Sequence, residues 1–347
     1  MAAAYTMGAP DPRSLWKNIP SSGDIPFPKA DDAAPLGFAV PEDGLLAACA
    51  SVRGRKHAHT GLPRDDDFCL GCTGNGWILL ATADGAGESP YSRRGSEVAV
   101  RQFRERAGNF LEDDRSLGGM AAGLGLDEAD PEPALARIRE MLVPVMSEAV
   151  HESRGILSRD LAAVPGADLG AFDTTLQFAA LKRLDGGFLI LSFAVGDGVI
   201  AVYDPRGLVG VPGDSGGDSH VLLLNRQDSG EYAGETRFVT SEEVIREPDF
   251  IASRVEACFL PDFGALFLMT DGVSDAKFET MRDLHSSQGW DRFWDDLTVS
   301  GGEDSPPVDL LSPAPEVAAG IGGWLNFWAR GCHDDRTLAA VFRQRPA

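Results

Sequence analysis

Residues 174–204 restrict the fold more than any other stretch. They read TTLQFAALKRL, DGG, FLILSFAV, GDG and VIAVYD, apolar runs cut by Asp-Gly turn signals. The period is that of strands, and the turns are those of antiparallel hairpins. A sheet, not a helical bundle, is therefore expected at the centre. WILLATA at 77–83 is short, apolar and followed by Asp84-Gly85, as a buried strand ending in a turn should be. HVLLLN, GALFLMTDG and RTLAAVF supply three further strands. Helical spacing occurs elsewhere: Val98, Phe103, Ala107 and Phe110 recur after a cap at Ser92 or Ser96. Leu135, Ile138, Met141, Leu142, Val145, Met146 and Ala149 form one stripe over about 133–152, with Pro144 expected to kink it. EVAAGIGGWLNFWARG reads as a late helix. Strands and helices come in blocks instead of alternating, so the class is α+β, with two sheets covered by helices.

Residues 1–47, rich in Pro, Asp and Ala without a clear period, are expected as an extended arm. The 347 residues, 43% of them hydrophobic, suffice to bury a full core. With 53 acidic against 31 basic residues, the formal charge of −22 repels nucleic acid and anionic membrane surfaces, so neither is expected as a partner. The most apolar run, 187–203, is broken by Asp197, and no membrane span is read. MAAAYTMGAPDPRSLWKN lacks both a basic start and a sustained apolar stretch, so no signal peptide is read either. Five cysteines at irregular spacing do not make a disulfide framework, and a reducing cytoplasm is the expected location.

Four aspartates share one local design at the end of an apolar strand: Asp84 in ATADGAG, Asp197 in AVGDGVI, Asp271 in FLMTDGVSD and Asp334 in GCHDDRT. One Asp-Gly alone is a common turn. The four aspartates together, each beside a glycine or another turn residue, with the acidic run Asp65-Asp66-Asp67, point to a shared purpose. Strand ends hold short carboxylates rigidly toward one edge of a sheet, and such oxygen donors suit Mg²⁺ or Mn²⁺. Uncompensated, carboxylates in one pocket repel each other and take up protons.

The ordered series PRDDDF, TADGAG, TTL, VGDG, GEYAGETRF, MTDGVSD and DDRT resembles the PP2C (PPM) family of metal-dependent protein phosphatases over about 51–342. It looks most like a bacterial branch whose first motif reads roughly G-x-x-H and then G-x-P-x-x-D; here that segment is GRKHAHTGLPRDDDF at 54–68. The resemblance implies a sandwich of two antiparallel sheets flanked by helices, in a phosphatase domain over 48–343. It also implies two divalent cations, Mn²⁺ or Mg²⁺, at one end between the sheets. Asp84 matches the aspartate that bridges both metals, and the Gly85 carbonyl matches a ligand of the second. Asp271 and Asp334 match the remaining carboxylate ligands of the first. Asp66 matches the aspartate of the early motif and is counted among the expected metal-binding residues, and Asp65 replaces a glutamate or glutamine that contacts metal-bound water. Asp197 matches the residue that, with Asp271, holds a third, weaker metal.

The implied activity is hydrolysis of phosphoserine and phosphothreonine in a phosphorylated protein, opposing a Ser/Thr kinase, by a water that the metals activate and aim in line at phosphorus. Two departures stand out. Ala86 occupies the place of a histidine proposed as general acid in eukaryotic members, with His333 or His57 as substitutes. The family arginine that grips phosphate has three nearby counterparts, Arg53, Arg55 and Arg64; Arg64, which abuts the acidic run, is preferred, giving Asp84, Asp66 and Arg64 as the expected catalytic residues. Residues 207–239, rich in Gly and Asp, sit where the family places a variable flap, and a mobile loop at 213–217 is expected beside the cleft. Cys69-x-x-Cys72 is read as packing, and His57-x-His59 as part of a solvated loop. The rival readings are a phosphatase-like binding or regulatory module, and a carboxylate-rich hydrolase of another fold.

Overall fold

The computed structural model describes residues 11–344 apart from 114, 118–122, 124–125, 127–129, 209–218, 229–235, 248 and 303–304. Its strands are β1 (Leu36–Val40), β2 (Leu45–Val52), β3 (Asp67–Cys72), β4 (Ile78–Ala83), β5 (Leu176–Leu184), β6 (Gly187–Val195), β7 (Val199–Tyr203), β8 (Val221–Leu223), β9 (Val255–Leu260), β10 (Ala265–Met269) and β11 (Arg336–Arg343). Its helices are α1 (Arg55–Thr60), α2 (Ser92–Glu112), α3 (Glu132–Asp160), α4 (Glu242–Arg246), α5 (Asp271–Lys277), α6 (Met281–Leu284), α7 (Ser287–Asp295) and α8 (Ala314–Trp324). The strands form two antiparallel sheets, ordered β1-β2-β11-β10-β7-β8 and β3-β4-β5-β6-β9.

The sheets stack face to face over an inner layer that includes Cys49, Leu80, Leu181, Ile190, Ile200, Leu268 and Val341. Alternate residues of the same strands point outward. Ala81, Phe178 and Leu191 meet Phe103 and Ala107 of α2 and Ile138 and Leu142 of α3. On the far side, Ala48, Phe267 and Phe342 meet Trp290 and Phe293 of α7 and Ile321 and Trp324 of α8. Covered on both faces, β2, β4, β6, β7 and β10 are buried at every position, which is why their sequences run apolar instead of alternating. Phe103 stacks on Phe193 at 5.4 Å and fixes α2 to its sheet. Burying a side chain of that size contributes ~2 kcal/mol or more. The helix α3 continues through Pro144, which lies on the exposed face, where the carbonyl deprived of its usual donor is open to water.

The structure departs from the sequence reading at three places that matter for function. The Gly196-Asp197-Gly198 turn does not close a hairpin; it carries the chain from β6 in one sheet to β7 in the other. Both sides of β6 are already occupied, by β5 and β9. Gly196 makes the crossover with a φ of 101°, its α-carbon packed on Thr175, which no side chain would tolerate. Second, His57 and His59 belong to α1, and His57 is buried. Third, the expected arm is partly built into the sheet, since β1 and the first residues of β2 pair with each other between 36 and 49. Upstream of β1, Lys29 ion-pairs Asp67 at 2.9 Å and donates to the Asp66 carbonyl at 2.7 Å. The expected loop at 213–217 lies outside the described residues. Among the described residues, no helix is long and apolar enough to cross a membrane.

Candidate metal centre

Strand register brings the expected carboxylates to one end of the sandwich. In one sheet, Asp67 opposes Ala83, and Leu176 opposes Val195, so Asp66, Asp84 and the β6 exit share an edge. In the other, Met269 opposes both Leu338 and Val199, so Asp271, Asp334 and the β7 entry share an edge. The crossover containing Asp197 joins the two edges. Asp271 is the first residue of α5, immediately after β10. A Cβ on Gly272 would overlap the Asp335 carbonyl oxygen, so glycine lets α5 start against β11.

The backbone at Asp84 is clamped by the two threonines of the TTL motif. Asp84 N donates to Thr175 Oγ1 at 3.1 Å, Thr175 N donates to the Asp84 carbonyl at 2.9 Å, and Thr174 Oγ1 donates to the same carbonyl at 2.8 Å. Asp66, with none of its surface exposed, accepts at Oδ2 from Thr270 Oγ1 at 2.9 Å and from Thr337 Oγ1 at 2.6 Å. Its other oxygen, Oδ1, is buried without a hydrogen-bond donor. The Asp66 and Asp84 carboxyls abut, two acceptors that only a proton or a cation can join. Asp197 lies near Asp271 and accepts at Oδ2 from Thr236 Oγ1 at 3.0 Å.

Electrostatics follow from this crowding. Burial, then the charge of Asp335, pushes the Asp66 carboxyl up to about 7. Burial and the charges of Asp271 and Asp66 hold Asp84 well above the ordinary carboxylate range, and burial with Asp197 and Asp334 does the same to Asp271. A buried carboxylate oxygen without a hydrogen bond, among acids whose charges oppose one another's ionisation, calls for positive charge. The donor set is all oxygen and fits Mg²⁺ or Mn²⁺.

A second feature, missed in the sequence, supports the first. Asp335, 2% exposed, accepts from Gly54 N at 2.6 Å, Asp65 N at 2.5 Å and His57 Nδ1 at 3.0 Å. Burial raises the Asp335 carboxyl, but the hydrogen bond and charge of His57 outweigh it and hold the carboxyl below its ordinary range. Burial lowers His57, but its bond to Asp335 and the charges of Asp335 and Asp65 outweigh that and raise it to about 9. His57, Asp334 and Asp335 offer donor atoms within 4.8 Å of one another. His57 gives its Nδ1 to Asp335, which also takes the Asp65 amide, so these two residues form a hydrogen-bonded brace for the Asp65–Asp66 backbone, while among the described residues Asp334 makes no bond to that segment. The signal that could have found it is the G-x-x-H spacing followed by the double aspartate of GCHDDRT.

The cations expected to meet phosphate are placed otherwise. Arg64 is 2% exposed, and its Nη1 donates to Ser51 Oγ at 2.6 Å and to the Asp66 carbonyl at 2.5 Å. Ser51 passes the chain to Thr337 Oγ1 at 2.7 Å, and Thr337 to Asp66 Oδ2. Arg64 thus backs Asp66 from inside the protein, and its burial is at odds with gripping a substrate. Arg53 pairs with Asp31 at 3.0 Å, and Arg55 donates to the carbonyls of Phe327 and Asn326 at 3.0 and 2.9 Å. His333 lies 4.3 Å from Trp16, ring to ring, and burial with Arg55 and Arg336 lowers its pKa. Cys69 and Cys72, three apart on β3, face opposite sides of the strand, and burial pushes the Cys69 thiol up to about 12, as a packing residue requires.

A cavity of about 320 Å³ opens beside Asp271 and Asp334, walled also by Trp16, Lys56, Asp275 and His333. A larger one, about 830 Å³, lies between the start of α3, β8 and β9 and touches none of the expected site residues.

Among solved structures, the fold is similar to a bacterial serine phosphatase carrying an arginine-to-alanine mutation, at 12% identity and TM-score 0.44, covering 86% of this chain and 98% of that one. It is similar to PppA, a regulatory component of T6SS in Pseudomonas aeruginosa, at 14% identity and TM-score 0.45, covering 89% and 99%. It is also similar to the serine/threonine phosphatase Stp1 from Staphylococcus aureus, at 12% identity and TM-score 0.41, covering 85% and 94%. No curated protein matches the sequence. The family model described as Protein phosphatase 2C matches residues 53–312, well over half of the chain. That span holds the early acidic motif, Asp84, Asp197 and Asp271, and the chain belongs to the protein phosphatase 2C family of metal-dependent protein serine/threonine phosphatases.

Proposed function

We propose that this protein removes phosphate from phosphoserine and phosphothreonine of a protein substrate at a centre of two divalent cations, Mn²⁺ or Mg²⁺. Asp84, the Gly85 carbonyl, Asp271 and Asp334 would hold them, with Asp66 beneath and Asp197 placed for a third, weaker ion. The observation that carries this reading is the buried, donorless Asp66 Oδ1 beside an Asp84 carboxyl that also feels Asp271 and Asp334. When bound, the cations supply an acidified water as nucleophile and neutralise charge on the phosphoryl oxygens.

The protein's own residues do the positioning. Thr174 and Thr175 fix the backbone on which Asp84 and Gly85 present their oxygens. Thr270, Thr337 and the buried Arg64 orient Asp66 so that one oxygen is satisfied and the other faces its acidic neighbours. Asp335 and His57 hold the Asp65–Asp66 segment against the start of β11. Ala86 offers no proton to a departing alkoxide, so a nucleophilic water and good charge neutralisation must carry more of the barrier. The substrate would be a phosphoprotein made by a Ser/Thr kinase, in the cytoplasm. Every residue named lies within 48–343, the proposed phosphatase domain.

The test is hydrolysis of a phosphothreonine peptide, an aryl phosphate and a nucleoside triphosphate, with Mn²⁺ and with a chelator. Metal-dependent release of phosphate from the first two is expected. Preference for the nucleotide would favour a different hydrolase, and no release with any substrate would favour a binding module.

A further inference from the structure

We propose that Lys56 is the residue that binds the substrate's phosphoryl group. The assignment rests on the phosphatase reading above and supplies the cation that reading lacks, since Arg64 is buried behind Asp66 and Arg53 is paired with Asp31. Lys56 is exposed, the second residue of α1, with its amide donating to the His333 carbonyl at 2.9 Å. This anchors its Cα beside Asp334. Its side chain reaches across to the loop that follows Asp84, where Nζ lies 3.3 Å from the position a Cβ would take on Gly87. A larger residue at 87 would displace the ammonium.

Lys56 walls the 320 Å³ cavity with Asp271, Asp275 and Asp334. Among the described residues, its ammonium forms no ion pair or hydrogen bond, although three carboxylates share the cavity. A flexible point charge so placed is free to meet an anion entering beside the aspartates, and lysine serves phosphate in this way elsewhere. The need is local. A dianionic phosphoryl group approaching a chain of formal charge −22 is repelled until a nearby cation offsets the field.

Inorganic phosphate is titrated calorimetrically into the full-length protein supplied with Mg²⁺, and peptide hydrolysis is measured in parallel. Loss of one charge-assisted contact in Lys56→Met should weaken phosphate binding by about 10- to 100-fold. KM for phosphothreonine peptide should rise by a similar factor, more than kcat falls, and Lys56→Arg should recover most of both. The metal concentration for half-maximal rate should not move. Arg101→Met, which removes an exposed cation from α2, controls for net charge and should match wild type. Equal phosphate affinity in wild type and Lys56→Met overturns the assignment. A wild type that binds phosphate through Lys56 but hydrolyses nothing would keep the assignment and sink the phosphatase reading.

Discussion

Asp335 takes hydrogen bonds from the amides of Gly54 and Asp65 and from His57 in a space closed to water. In the sequence it is merely the second aspartate of a pair, and the geometry gives it a structural role. Asp335→Ala would leave the buried amides of Gly54 and Asp65 and the ring of His57 without their acceptor, at a cost of about 3–5 kcal/mol. Urea denaturation of the metal-free variant checks this; a change under about 1 kcal/mol would contradict the role given to Asp335. The same contrast applies to Arg64. Its neighbourhood to the acidic run is plain in the sequence, but its direction is not, because Ser51 and Thr337, which receive and relay its hydrogen bond, lie 286 residues apart.

Elements whose apolar period is long were legible: α2, α3, and the strands around 78–83, 176–203, 265–269 and 336–343 all form near their expected places. Those that depend on tertiary contact were not. The six residues of α1, RKHAHT, have no apolar stripe, and the helix is held by Asp335 at its start and by His57 facing inward. The crossover between β6 and β7 looks locally like any Gly-Asp-Gly hairpin, and only the pairing of β6 with β9 excludes it. The junction between β10 and α5 makes an element-level prediction. Gly272→Ala would push α5 off the Asp335 carbonyl, costing ~1–3 kcal/mol, and would move Asp271 with it. Thermal unfolding should show the loss, and a Mn²⁺ titration of hydrolysis should shift to higher metal concentration. Wild-type metal dependence in a destabilised variant would separate α5 placement from the metal centre.

Over the whole molecule, the candidate site was legible because Asp84, Asp197 and Asp271 each follow an apolar run and stand before a glycine, while Asp66 and Asp334 lie just ahead of β3 and β11 in short acidic clusters. The support was not legible, since residues such as His57 and Asp335 meet across 278 positions of sequence. The central claim is that Asp84 and its acidic neighbours gather cations to hydrolyse phosphate esters, and it reduces to one comparison. Rates of phosphothreonine-peptide hydrolysis are followed against Mn²⁺ concentration for wild type and Asp84→Ala, with cation binding measured by calorimetry on the same samples. The account predicts a wild type that binds at least two cations and whose rate saturates with metal, and an Asp84→Ala variant slower by about 100-fold or more with weakened cation binding. Equal rates in the two proteins, or full wild-type activity in the presence of a chelator, would contradict it.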